Sequence, residues 1–359
     1  MTYPDIFSTP ERPDHADLLA DPWLATSALQ KSIRRGLQLP ALLATSFLLD
    51  RQPDRFWRRI VVIALEDVGI GDLQLVHEVL AISGRKQWRA ERGGDWSFAA
   101  NLVVRMCEAP KSRDACDALV NADLHPELRE QRSAFLDLGT DTLSDIVAAE
   151  GRPLGERTLA AWLVAGTKRF PALNLPTRIG SFGDLLDIYE AMGVRPDVLS
   201  TAQMGSTRTI EGHPLSLPLI WLLAASSGEI DVRKQNLPDA PMIGGWPAFA
   251  LDMHTMLGKR AIRRFQRECR EIDQLALRWL PRDQHELFVG TLLFRFEGEN
   301  VDQRLVYPGS QALLRTAEVA HLTHQGLPRT LVSDALSILK EHLDLLHQCR
   351  VAVAGRNAR

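Results

Sequence analysis

The chain has 359 residues, 45% of them hydrophobic and 24% charged, and a net charge of −3. These values fit an ordinary globular protein with a large core, built as two domains or as one elongated helical body. They exclude a global field that would draw the chain to nucleic acid or to a membrane surface, so any polyanion site has to be a local patch.

Aromatic residues make up 6% and only three are Tyr, which argues against a β-rich architecture and for a mainly α fold. The four cysteines, Cys107, Cys116, Cys269 and Cys349, are scattered without CxxC pairing. They suggest no zinc ribbon and no disulfide framework, which fits a reducing cytoplasm. The N-terminus lacks a basic-then-apolar leader. The longest apolar run, Leu215 to Ser226, is interrupted by Pro218 and is too short for a bilayer, so it reads as a buried helix. A cytoplasmic protein with no membrane partner is expected.

In chain order, residues 1–24 are rich in Pro and Asp and read as an extended segment over the body. Two amphipathic helices follow, one on either side of Gln52 and Pro53. The first carries Leu37, Ala41, Leu42, Ser46 and Leu49 at helical spacing, and the second carries Phe56, Ile60, Ile63 and Ala64 on one face. The second runs into Glu66-Asp67-Val68-Gly69-Ile70-Gly71-Asp72, where two glycines permit a turn that other residues resist.

Three pieces of this region carry a family resemblance. They are Ser27-Ala28-Leu29-Gln30-Lys31-Ser32-Ile33-Arg34, then Arg58-Arg59-Ile60-Val61 with Ala64-Leu65-Glu66-Asp67-Val68-Gly69, and later Ala109-Pro110-Lys111-Ser112 followed by Ala115 and Ala118. Their order and spacing resemble the helical C-terminal half of the RarA/MgsA family, replication-associated AAA+ ATPases related to clamp loaders. In that family this half is the collar and oligomerisation region. The resemblance covers roughly residues 25 to 130, and it implies a collar-like helical domain (25–170), homo-oligomerisation and a setting in replication, recombination or repair.

Further helices are predicted at Leu73–Ile82, Ala99–Cys107, Ser112–Ala122, Glu127–Leu136, Thr140–Ala149 and Leu154–Leu163, with a charged loop at Gly84–Gly94. Phe170–Ile179 holds two prolines and marks a boundary before a second helical domain, 171–359, of unassigned family. There, Phe182–Met192 is a helix, Val194–His213 and Asn236–Trp246 are irregular, and a long helix runs from Phe249 to Leu280. Helices at Asp283–Phe294, Ser310–His324 and Leu331–Ala354 complete the chain. Leu292–Tyr307 reads either as a small β-hairpin around Gly298 or as helix in its first half.

The chemistry is sparse. A nucleoside-triphosphate site needs a Gly-rich loop with a Lys and a Ser or Thr. The only Gly-Lys pair, Gly258-Lys259, lies in a helical pattern without the upstream Gly, so no cofactor is assigned. With the resemblance, this implies a scaffold without its motor, or one served by a separate ATPase. The strongest constellation is Met256–Ile272. Ile262, Phe265, Cys269 and Ile272 form an apolar seam, and Lys259, Arg260, Arg263, Arg264, Arg267 and Arg270 occupy the remaining faces. Such a stripe suits a DNA backbone, because each phosphate neutralised releases condensed counterions. The bland alternative is a solvated face with salt bridges.

A second basic group, Lys31, Arg34, Arg35, Arg58 and Arg59, with Arg55 beside it, is read first as structural pairing with Glu66 and Asp67 and second as a nucleic-acid surface. Adjacent carboxylates on a helix point about 100° apart and do not share a site by themselves. No residues are assigned as metal ligands: His321 and His324 are spaced i, i+3 but lack a third ligand at a suitable interval. No catalytic residue is assigned either. The expected function is a non-catalytic accessory or scaffold of DNA replication, recombination or repair, binding itself, a partner and DNA through the basic helix. The alternative is an enzyme acting on nucleic acid or a nucleotide, with its site in the stretches 200–213 and 236–254, including Arg208 of Gly205–Thr209 and His254.

Overall fold

The computed structural model describes residues 9–16, 18–298 and 300–355. Residues 1–8 and 17 of the expected N-terminal segment therefore lie outside the described residues. The fold is mainly α: nineteen α-helices and two small antiparallel β-pairs are described. No helix among the described residues is long and apolar enough to cross a membrane.

The first unit is α1 (Pro22–Arg34), α2 (Gln38–Arg51) and α3 (Pro53–Ile63), followed by α4 (Leu73–Ser83), α5 (Lys86–Glu91) and α6 (Gly94–Glu108). Helix α1 starts where Asp21 accepts the Trp23 N–H and Pro22 occupies the first turn, a standard N-terminal cap. Its buried face, Leu24, Ala25, Ala28, Leu29 and Ile33, packs with Phe47, Phe56, Ile60, Leu80 and Val103. The described part of the N-terminal segment lies over this unit: Arg12 donates to Ser46, and Trp96 donates to Pro10 O. Residues 84–94 are not an open loop. Arg89 of α5 is 1% exposed, stacks on Trp57 at 3.7 Å and donates to the Ile82 and Ser83 carbonyls, which turns a charged stretch into a buried anchor.

A second apolar cluster runs from Leu119 to Leu219. It joins α7 (Asp114–Leu124), α8 (Arg129–Phe135), α9 (Thr140–Ala148), α10 (Leu154–Ala165), α11 (Phe182–Ala191), α12 (Pro196–Arg208) and α13 (His213–Ser227). Helix α12 corrects the irregular reading of 194–213. The Ser206 and Thr207 hydroxyls bond back to the Gln203 and Met204 carbonyls, so Gly205–Arg208 is helical, Thr209 is its extended cap, and the stretch offers no hydroxyl cradle for an anion. Helix α13 is the expected buried apolar helix, with Pro218 inside it.

A third cluster gathers α14 (Met256–Glu268), α15 (Arg270–Trp279), α16 (His285–Gly298), α17 (Ser310–His324), α18 (Val332–Glu341) and α19 (Leu343–Ala354). The long helix expected over Phe249–Leu280 is in fact three pieces. Ala248–Ala250 is a 3-10 turn, Thr255 caps α14 by accepting the Gly258 N–H at 3.0 Å, and Cys269 in extended geometry separates α14 from α15. Of the two readings of Leu292–Tyr307, the helical first half is the one that forms, not the hairpin around Gly298. Helix α16 runs up to Gly298 with Leu292, Leu293, Arg295 and Glu297 all buried, and a segment buried on nearly every side shows little amphipathic period. Strand β4 (Gln303–Val306) instead pairs with β1 (Asp231–Lys234), while β2 (Met242–Ile243) and β3 (Trp246–Pro247) make the other pair.

Candidate functional site

The three pieces of sequence that carry the resemblance meet in one buried ionic centre. Helix α3 ends in a single π turn, Ala64–Val68, which carries Glu66 and Asp67. The wider turn lets neighbouring carboxylates reach one cation, as a regular helix would not. Arg113 Nη1 donates to Glu66 Oε1 at 3.0 Å and also to Asp67 Oδ1. From α1, Arg34 Nε donates to Asp67 Oδ1 at 2.7 Å and Gln30 Nε2 donates to Asp67 Oδ2 at 2.9 Å. Structural pairing of the arginines with Glu66 and Asp67 is therefore what the geometry contains. The two adjacent acids, which would not share a site by themselves, are brought to one by Arg113, which holds both.

The glycines of Val68-Gly69-Ile70-Gly71 serve the same junction. A Cβ at Gly69 would lie 2.5 Å from Ser112 O, and one at Gly71 would lie 2.2 Å from Pro110 O. Gly69 also has φ near +52°, which L side chains rarely adopt. Only there can the backbone of 110–112 come close enough for the Ser112 N–H to donate to Asp67 O at 3.0 Å. Lys111 in turn pairs with β4, donating to Gln303 O at 2.7 Å and accepting from Leu305 N at 2.9 Å. Its buried ammonium donates to the Cys107 and Ala109 carbonyls, and burial lowers its pKa to about 8.

An adjoining face of α1 holds a second ionic group. Lys31 Nζ lies 2.9 Å from Asp252 Oδ2 and 2.9 Å from Glu297 Oε2, and it donates to Phe249 O at 2.7 Å. Arg350 donates to Glu297 at 2.8 Å and to Leu251 O at 3.0 Å. Arg35 lies 4.4 Å over the Phe249 ring, with its pKa lowered by burial to about 10. Burial alone would raise the pKa of Glu66, Asp252 and Glu297. Their cationic neighbours outweigh it, so all three are held below the usual carboxylate range. Of the second basic group, then, Lys31, Arg34 and Arg35 are interior residues that tie α1 to two parts of the molecule. Arg58 is exposed and Arg59 half-buried, with Arg59 donating to Gln30 Oε1.

Beside this centre lies a cavity of about 430 Å³. Lys31, Arg34, Arg59 and Glu66 line one part of it, and Trp162, Leu119 and Phe294 supply apolar wall. Glu211, Gly212, His213, Asp252 and His254 also reach it, so it unites the C-terminal ends of the stretches 200–213 and 236–254. His213 is buried, which lowers its pKa, and its Nδ1 has no hydrogen-bond partner among the described residues. Arg208 is exposed on α12, beside Gly84, and does not line the cavity.

The basic stretch is not one helix as read from the sequence: the break at Cys269 leaves Lys259 to Arg267 on α14 and places Arg270 at the start of α15. Ile262, Phe265, Cys269 and Ile272 are all buried, while Lys259, Arg260, Arg263, Arg267 and Arg270 are exposed and Arg264 is half-exposed. Arg264 pairs with Glu268 at 2.7 Å and Arg263 with Glu286 at 3.2 Å. Among the described residues, Lys259, Arg267 and Arg270 form no salt bridge.

Of the histidine pair, His321 Nδ1 accepts from Arg295 at 3.0 Å, and that arginine is held by Asp117 at 2.8 Å. This removes Nδ1 from metal binding. Among the described residues, the group that could hold a cation is instead Cys269, Glu271 and His342, whose ligand atoms all lie within 4.8 Å of one another. No local motif signals them, because His342 is remote in sequence from the other two. Comparison with known protein families, with curated proteins and with solved structures gives no match for this chain.

Proposed function

We propose that the chain is a non-catalytic scaffold in a DNA transaction of replication, recombination or repair, which meets the phosphate backbone through α14. The observation that carries this reading is the exposed series Lys259, Arg263 and Arg267 on a helix whose other face is sealed in the core. Successive members are four residues apart, or about 6 Å along the helix axis. The partner roles follow the resemblance: self-association or docking of a separate ATPase through the collar-like part, which α1 holds rigid by its buried ion pairs.

Fluorescence anisotropy with duplex DNA tests it. Three or four phosphate contacts give log K against log salt a slope of about −3 to −4. Arg263→Glu with Arg267→Glu is expected to remove about two units of that slope and most of the binding. Absence of binding at low salt, or binding indifferent to these substitutions, refutes the reading.

The cavity favours a second reading, an enzyme acting on a nucleotide. It is large enough for such a ligand and draws residues from both stretches expected to hold an enzyme's site. Turnover of nucleotides by the purified protein, lost in His254→Ala, would replace the scaffold reading.

A further inference from the structure

Cys269, Glu271 and His342 come from two helix breaks that pack together in the third core cluster. Cys269 is the residue between α14 and α15, Glu271 is in the first turn of α15, and His342 is the residue between α18 and α19. Cys269 Sγ lies 3.9 Å from Glu271 Oε2, and that oxygen lies 3.5 Å from His342 Nε2. Tetrahedral zinc, with bonds of about 2.0–2.3 Å to N, O and S, sets neighbouring ligand atoms about 3.3–3.6 Å apart. One of these separations already falls in that range, the Cys269–Glu271 one needs a few tenths of an ångström, and the third, Cys269 Sγ to His342 Nε2, is within 4.8 Å and closes by rotation of the side chains.

The orientation of the imidazole points the same way. His342 Nδ1 is 3.0 Å from Ile338 O. A carbonyl only accepts, so Nδ1 carries the hydrogen, and in the neutral ring Nε2 keeps its lone pair toward Glu271. A backbone carbonyl holding the far nitrogen is the usual outer support of a metal-bound histidine. The donor set of thiolate, imidazole and carboxylate matches zinc and its neighbours in the transition series better than magnesium or calcium, which take oxygen ligands.

We propose that Cys269, Glu271 and His342 bind a divalent transition-metal ion, with Zn²⁺ the best match, and that the ion bolts the end of the basic helix to the α18–α19 junction. On binding, the Cys269 S–H bond breaks, a metal–sulfur bond forms and the proton leaves to solvent. The thiolate and the carboxylate then neutralise the two charges of the ion. Three protein ligands leave a fourth position for water or for a donor from a bound molecule.

Cobalt(II) is the probe. Added to the metal-free full chain, it is expected to give a thiolate-to-cobalt charge-transfer band and tetrahedral visible bands at one ion per chain, and zinc is expected to displace it. The bands are expected to vanish in Cys269→Ser and His342→Gln, to weaken at least tenfold in affinity in Glu271→Gln, and to persist in Cys107→Ser. Zinc is expected to raise the melting temperature of the parent and not of Cys269→Ser or His342→Gln, each compared with its own metal-free form. Glu271 and His342 are at or near the surface, so their variants test the site even if Cys269→Ser folds poorly. Absence of the thiolate band, its survival in Cys269→Ser, or an equal zinc shift in His342→Gln overturns the proposal.

Discussion

Replacing Asp67 by alanine tests whether the ionic centre holds the molecule together. Asp67 is fully buried and accepts from Gln30, Arg34 and Arg113, while Arg34 and Arg113 are 2% and 1% exposed. Its loss takes the nearest carboxylate from two buried guanidinium groups, both of which also reach Glu66. Breaking a buried pair from one side costs about 3–5 kcal/mol, because the remaining charge is stranded away from water. Unfolding entropy near 2.1 cal/mol/K per residue makes 1 °C of Tm equivalent to roughly 0.75 kcal/mol for a chain of this length, so the expected drop is about 4–7 °C. Differential scanning calorimetry is the assay, with Arg264→Ala as the reference, since a solvated i, i+4 pair should move Tm by about 1 °C or less. The double variant Asp67→Ala with Arg113→Met should lose less than the sum of the two single losses. An Asp67→Ala protein that melts within 1 °C of the parent, or no lower than Arg264→Ala, refutes the reasoning.

The junction glycines give a graded test. Gly71→Ala drives a methyl onto the Pro110 carbonyl and Gly69→Ala adds strain at positive φ, so both should lower Tm or solubility far more than Gly139→Ala, whose added methyl meets nothing within 4 Å. Acid sensitivity is expected from His321. The unfolded ring takes up a proton near pH 6.5, whereas burial, reinforced by Arg295, holds the folded ring neutral down to about 3. Its contribution is complete above pH 6.5 and is lost as pH falls from there toward 3, at up to about 1.4 kcal/mol per unit. His321→Gln, which keeps an acceptor for Arg295, should flatten denaturation midpoints over that window; an unchanged slope refutes the assignment. Light scattering should give a mass of more than one chain, and a strict monomer at high concentration detaches the collar role from residues 25–170.

Most helices of this protein are legible in its sequence because their apolar spacing and capping residues act locally. The seam of Ile262, Phe265 and Cys269 reads correctly, as does the buried helix around Pro218. The stretches misread or left open are those in which local signals point elsewhere. Gly205–Arg208 is rich in loop formers but is helical, with Gly205 packed close to Leu65 and Pro214, and α16 carries charges that its neighbours neutralise. Sequence alone also pairs Arg34 with Glu66 and Asp67 by charge. That Arg113 completes the pair, that Lys31 serves a different set of acids, and that Cys269 stands beside His342 was decided only by the tertiary structure. Charge and periodicity are properties of neighbours along the chain, whereas the partner of a buried ion is whichever group the packing of distant helices leaves within about 3 Å of it, because an ion shut away from water must find one.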